Sequence, residues 1–71
     1  MAVSDIVRMA NQISDFFAAY PHDTAVKETA NHIRSFWDPR MRRQLSEHVA
    51  AGGKGLKPIA LEAARTLLEN A

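Results

Sequence analysis

Three prolines and one glycine pair divide this chain into segments that each carry the spacing of an amphipathic helix. Within the segments, apolar residues recur at intervals of three and four positions, which places them on one helical face. Proline ends or opens a helix because it has no backbone N–H, and glycine readily adopts the left-handed conformation that ends one. The breaks at Pro21, Pro39 and the stretch 52–58 therefore predict four helices.

The first two predicted helices lie on either side of Pro21. The first runs from Asp5 to Tyr20, with Ser4 or Asp5 as the residue that caps its free N–H groups. It ends at Tyr20 because a residue before proline is disfavoured in helical geometry. The second follows a cap at Asp23 and stops before the Asp-Pro pair.

The other two predicted helices have clearer boundaries. Asp38 is a typical N-cap, and Pro39 occupies the first helical position, where a missing N–H costs nothing. This third helix ends at Gly52-Gly53, and a loop consisting of a helix cap and a flexible turn follows. The fourth helix begins at Pro58 and is rich in alanine.

Together these segments predict an all-α fold, a small bundle of about four short amphipathic helices that forms a single domain over residues 1–71. Short connections favour antiparallel neighbouring helices. The residues in the middle of each apolar stripe are expected to form the core. They are Ile6, Met9, Ile13, Phe17, Ile33, Leu45, Val49 and Leu67.

The small size of the chain limits how much surface it can bury. A domain of this length buries only about 60% of the surface that its unfolded chain exposes, and the 71 residues include no cysteine for a disulfide or a thiolate metal ligand. We therefore expect the isolated chain to be marginally stable and to gain stability on binding a partner.

No catalytic or metal site is indicated by the sequence. His22, His32 and His48 lack the three- or four-residue spacing that places two ligands on one metal, and no serine has a neighbouring base or an elbow motif. His48 shares the inward face of its helix, which predicts a packed or half-buried side chain. The glycines of residues 52–55 follow no strand and match no phosphate-binding motif.

The longest uninterrupted apolar stretch, Phe16 to Tyr20, has five residues. A signal-peptide core needs roughly 7–15 apolar residues and a membrane-spanning helix needs about 20. The sequence therefore predicts a soluble, cytoplasmic protein with no membrane partner.

Three arginines stand at the start of the third predicted helix, where the helix dipole disfavours cations. Arg40, Arg42 and Arg43 are expected to spread around its exposed half. One interpretation is a solvated face, with Arg43 and Glu47 forming a weak pair four residues apart. The other is a docking surface for carboxylates or phosphates, which the forked guanidinium group binds in a bidentate manner.

Two adjacent aromatic pairs favour the docking interpretation. Neighbours on a helix diverge by about 100°, so a small core cannot easily bury every ring of Phe16-Phe17 and Phe36-Trp37. Tryptophan and arginine are enriched at interface hot spots, and Trp37 is expected to stay outside the core. For Phe16-Phe17, a wide apolar stripe that lies under neighbouring helices is an equally open interpretation. The residues predicted to bind a partner are Trp37, Arg40, Arg42, Arg43, Phe16 and Phe36.

Three blocks of sequence form a recognisable set: residues 6–17, residues 31–45 with the run Phe-Trp-Asp-Pro-Arg-Met-Arg-Arg, and Gly-Gly-Lys-Gly-Leu-Lys-Pro before the alanine-rich helix. This set resembles the delta subunit of bacterial, cytoplasmic, molybdenum-containing, NAD-dependent formate dehydrogenases. The resemblance covers nearly the whole chain, and the Phe-Trp block is its most specific part.

The resemblance implies a small accessory subunit that performs no catalysis, binds the catalytic large subunit and supports assembly or cofactor loading. It also implies that the molybdenum bis-guanine-dinucleotide cofactor, the iron–sulfur clusters and the FMN belong to the larger subunits. No cofactor is expected in this chain, which agrees with its lack of cysteine ligands.

One other class of function stays open from the residues alone. A nucleic-acid-binding helical module could place the third helix, with Arg40, Arg42 and Arg43, in the major groove. The net charge of +1 argues against it, because dedicated nucleic-acid modules are strongly basic. An enzyme in its own right is disfavoured by the absence of a catalytic constellation.

Overall fold

A computed structural model describes residues 2–69, which contain four α-helices and no strand. The helices are α1 (Val3–Phe17), α2 (His22–Phe36), α3 (Pro39–Ala50) and α4 (Pro58–Glu69). The prediction of a small all-α bundle of four short helices is confirmed. Over the described residues, no helix has the length and apolar character needed to cross a membrane.

Both predicted N-caps of the first two helices are wrong. The N-cap of α1 is Ala2 and that of α2 is Pro21, and neither helix has a side chain that bonds its free N–H groups. Asp5 and Asp23 lie instead in the first turns, where a carboxylate interacts favourably with the helix dipole. The capping preference alone did not fix the position, because the helices begin earlier than their first acidic residue.

The end of α1 also differs from the prediction, since the helix stops at Phe17 rather than at Tyr20. The N–H of Ala18 donates to the carbonyl of Asp15, and that of Tyr20 donates to Phe17. These bonds reach three residues back and tighten the chain into a turn. Pro21 disfavours helical geometry at Tyr20, and the chain meets this restriction by leaving the helix in a turn over residues 18–20.

The predicted start of α3 is confirmed in detail. The Asp38 carboxylate accepts a hydrogen bond of 2.9 Å from the backbone N–H of Met41, and Pro39 occupies the first turn. At the other end, the N–H of Gly53 donates to His48 and that of Gly52 donates to Val49. This pair of bonds is a Schellman motif, which both glycines allow through positive φ angles of +118° and +67°.

The core lies where the four helices meet. Ile6, Ile33 and Leu45 are buried, as predicted. The other predicted core residues are less deeply placed: Met9, Ile13, Val49 and Leu67 are half-buried against the central cluster, and Phe17 is half-buried outside it. The cluster itself consists of Ile6, Ala10, Ile33, Trp37, Leu45, Ala60 and Ala64.

The helices α2 and α4 pack extensively against each other, and most of their buried residues are small. Ala25 and Thr29 on α2, and Ala60, Ala63 and Ala64 on α4, are all buried. Small side chains allow two helix backbones to approach closely, so this contact completes the core without large residues. The alanine-rich composition of the fourth segment is explained by this packing.

Candidate docking surfaces

Phe36 and Trp37 are adjacent in sequence but have opposite environments. Phe36 is the last residue of α2 and is 75% exposed, whereas Trp37 is 6% exposed and belongs to the core. Trp37 has an extended backbone, with φ −87° and ψ 141°, so its side chain leaves the helical arrangement and packs inward. The prediction that Trp37 stays outside a small core is wrong, and this residue is not available to a partner.

Arg42 is also accounted for within the fold. Its guanidinium donates a hydrogen bond of 2.9 Å to the backbone carbonyl of Arg34, in the last turn of α2. The last four carbonyls of a helix lack helical partners, and cations there interact favourably with the helix dipole. Arg42 therefore joins α3 to the end of α2, and its position at the start of α3 has a structural reason.

Arg40 and Arg43 remain exposed. Together with Asp38 and Pro39 they line a shallow depression at the start of α3. Within residues 2–69 neither guanidinium forms an ion pair, so the weak pair between Arg43 and Glu47 is not formed. The predicted group of three arginines is thus reduced to two that can contact another molecule.

Four side chains along α1 and α2 form an aromatic surface, which consists of Phe16, Phe17, His32 and Phe36. The rings of Phe16 and Phe17 meet edge to face with centroids 4.9 Å apart. The rings of His32 and Phe36 are 4.6 Å apart. Phe16 is 74% exposed and Phe36 is 75% exposed, so both rings are accessible to a partner.

The aromatic surface includes a groove of about 300 Å³ between α1 and α2. His32 connects its two ends, because it lines this groove opposite the phenylalanines of α1 and stacks on Phe36. The residues that line the groove are Met9, Gln12, Ile13, Phe16, Phe17 and His32. The groove can accept an apolar side chain from another molecule.

His32 was not among the predicted site residues. No chemical motif surrounds this histidine in the sequence, so its immediate neighbours did not predict a docking role. A usable signal was present, since His32 and Phe36 are four positions apart and therefore neighbours on one helical face. Searching for aromatic residues at that spacing from Phe36 would have found it.

The loop between α3 and α4 is held against α1 by the side chain of Asn11. Its Nδ2 donates to the carbonyl of Gly55 and its Oδ1 accepts from the N–H of Lys57, both at 2.9 Å. The Lys57 ammonium group also bonds both carboxylate oxygens of Asp15, at 2.8 and 2.9 Å. The segment predicted as a flexible turn is therefore attached at several points.

The three histidines have separate partners. His22 contacts the carboxylate of Glu62, His32 stacks on Phe36, and the half-buried His48 bonds the Lys54 carbonyl at 2.7 Å. Half-burial of His48 was predicted. In the part of the chain that the structure describes, no three His, Cys, Asp or Glu side chains are close enough to hold one metal ion.

A comparison with protein-family models gives these surfaces a context. Residues 5–64 of the 71-residue chain match the family described as NADH-dependent formate dehydrogenase delta subunit FdsD. The chain belongs to the FdsD family. Searches among curated proteins and among solved structures gave no match. The resemblance drawn from the three sequence blocks is thereby confirmed.

The FdsD match includes both candidate docking surfaces. It spans the aromatic surface on α1 and α2, the exposed Arg40 and Arg43, and the loop that Asn11 holds. As a delta subunit, an FdsD protein is part of an NADH-dependent formate dehydrogenase complex. Its surfaces must accordingly include contacts with other subunits of that complex.

Proposed function

We propose that this chain is a non-catalytic accessory subunit that binds the catalytic large subunit of a cytoplasmic, molybdenum-containing formate dehydrogenase. In this role it supports insertion of the molybdenum cofactor or stabilises the subunit that holds it. The proposed contact is the aromatic surface, with Arg40 and Arg43 as a second, charged contact at the start of α3.

The observation that carries this proposal is the exposure of Phe16 and Phe36, at 74% and 75%. Aromatic side chains dominate the energetics of interfaces because each can bury about 150–250 Å². Two such rings joined by His32 and a groove form a continuous apolar area, which is typical of a protein-binding site. A partner that covers this area would remove the rings from water.

Arg40 and Arg43 favour a partner with an acidic or phosphate-bearing surface. Both guanidinium groups lack an intramolecular ion pair within residues 2–69, so their charge is available. Guanidinium groups bind carboxylates and phosphates in a bidentate manner. Of the six partner-binding residues predicted from the sequence, the proposal retains Phe16, Phe36, Arg40 and Arg43, and it leaves out the buried Trp37 and the capping Arg42.

This chain offers no ligand set for an iron–sulfur cluster or another metal centre within residues 2–69. The sequence has no cysteine for an iron–sulfur cluster, and residues 2–69 contain no suitable group of three metal ligands. In line with what the family resemblance implies, we propose that the molybdenum bis-guanine-dinucleotide cofactor, the clusters and the FMN are held by the larger subunits. The effect of this chain on them would pass through protein contacts.

The test replaces the two exposed rings and follows assembly. A Phe16→Gln/Phe36→Gln variant keeps or improves helix propensity and should fold normally. Produced together with the larger subunits, it should bind the tagged large subunit at least about thirtyfold more weakly, as expected for loss of an interface anchor. Molybdenum content and formate oxidation of the complex should fall with the amount of bound chain.

Leu68→Gln is the matched control, because Leu68 is an exposed apolar residue of α4, 40% accessible, that does not line the aromatic groove. Its binding should equal that of the wild type. If the double variant assembles as well as the control, with full molybdenum content, the aromatic surface is not the docking site. If the wild-type chain does not copurify with the large subunit at all, the accessory role itself is wrong.

A further inference from the structure

A second groove lies between α1 and the loop that precedes α4, and it shares Gln12 with the aromatic groove. It has a volume of about 690 Å³. Val3 and Val7 of α1 provide its apolar floor, and His48, Lys54 and Gly55 line the opposite side. The proposed function makes no use of this groove.

The groove keeps its shape because the loop is attached to α1. Asn11 bonds Gly55 and Lys57, and the ring of His48 bonds the Lys54 carbonyl. Gly55 also lies so near Val7 that a Cβ atom at that position would be 3.3 Å from its methyl group. These contacts fix the position of the loop and thereby the shape of the groove.

The charge of the groove is positive. Its lining contains three cations, Arg8, Lys54 and Lys57, and one carboxylate, Asp15. Asp15 already neutralises Lys57, and Arg8 is 3.3 Å from Asp5. Within residues 2–69, Lys54 has no carboxylate partner, so its charge is available at the edge of the groove.

We infer that this groove binds an acidic segment of another formate dehydrogenase subunit, with an apolar side chain on Val3 and Val7 and a carboxylate beside Lys54. The inference rests on the proposed function for the identity of the complex. A bare phosphate or a nucleic-acid backbone would leave the valine floor without a partner. A segment that carries both apolar and acidic side chains can pack against Val3 and Val7 and also pair with Lys54.

The test uses the assembled complex, with a photo-cross-linking amino acid at Ser4, which is exposed and lines the groove. The control position is Lys27, which is exposed on α2 and lies outside the groove. Mass spectrometry of the product should identify one segment of a larger subunit that contains both apolar residues and Asp or Glu. The control position should not label that segment.

A Lys54→Glu exchange should lower the yield of this product about tenfold, because it sets a like charge against the carboxylate. Arg65→Glu, an exposed α4 exchange outside the groove, should not change it. The inference is overturned if Ser4 labels a second copy of this chain, nucleic acid or a segment without acidic residues. It is also overturned if Ser4 labels nothing in a complex that still depends on Phe16 and Phe36, a result that leaves the proposed function intact.

Discussion

Asn11 and Gly55, 44 positions apart in sequence, are joined by a hydrogen bond of 2.9 Å from the side-chain amide to the backbone carbonyl. The same side chain accepts a bond from the N–H of Lys57. One residue of α1 thus satisfies two backbone groups of the loop that separates α3 from α4. A loop backbone needs such partners, because secondary structure does not supply them.

We expect Asn11→Ala to lower the free energy of unfolding by about 1–2 kcal/mol, since each lost hydrogen bond contributes about 0.5–1.5 kcal/mol. For a domain of this size, that corresponds to a fall in Tm of several degrees. Thermal unfolding followed by circular dichroism measures it. The exposed neighbour Gln12 provides the control, and equal Tm values for Asn11→Ala and Gln12→Ala would contradict the attachment.

The contrast between Trp37 and Phe36 gives a second prediction. Trp37→Ala should lower the free energy of unfolding by about 3–5 kcal/mol, because it leaves a cavity in the core, and should unfold much of a marginally stable chain. Phe36→Ala should cost far less, since the ring is 75% exposed and contacts His32. Urea denaturation of both variants tests this prediction. Similar unfolding midpoints for the two variants would contradict the burial of Trp37 in the core.

Thr29 is fully buried on α2, and its hydroxyl oxygen has no hydrogen-bond partner. A buried polar group without a partner costs about 1–3 kcal/mol, and valine has nearly the same shape as threonine. We therefore expect Thr29→Val to raise the free energy of unfolding by about 1 kcal/mol. Thr24→Val, at an exposed position, should change it little. A lower Tm for Thr29→Val would show that the hydroxyl is satisfied.

The three arginines at the start of α3 should have two different roles, with Arg42 stabilising the fold and Arg40 and Arg43 binding the partner. Arg42→Gln removes the bond to the Arg34 carbonyl and should lower the free energy of unfolding by about 1 kcal/mol. Arg40→Gln/Arg43→Gln should leave folding stability within about 0.5 kcal/mol and weaken binding to the large subunit. Thermal unfolding and copurification distinguish the two variants. If the two variants have the same Tm and copurify equally with the large subunit, the assignment of different roles to these arginines is wrong.

Much of the fold was predictable from the sequence because it depends on residues that are near one another in the chain. Apolar spacing predicted the four helices, and Asp38 with Pro39 predicted the start of α3. The glycine pair after α3 predicted its end, since the Schellman bonds reach back only from Gly53 to His48. The starts of α1 and α2 show the limit of such rules. Their N-cap residues, Ala2 and Pro21, form no side-chain capping bond, so a favourable capping residue nearby does not fix where a helix begins.

The candidate docking surfaces were only partly predictable. The small size of the core predicted that some rings of the Phe16-Phe17 and Phe36-Trp37 pairs would be exposed, because neighbouring rings on a helix cannot all point inward. The sequence could not tell which ring of the Phe36-Trp37 pair would be buried. That depended on the extended backbone at Trp37, which turns its side chain toward the core formed with the other helices.

The sequence by itself thus determined the helices, the ends of α3 and the general nature of a small helical module. Only the tertiary structure decided that Trp37 is buried, that Arg42 caps α2 and that Asn11 holds the loop. The physical reason is distance along the chain: these contacts join different helices or a helix and a distant loop. Local spacing cannot specify them, because their partners come together only when the four helices pack.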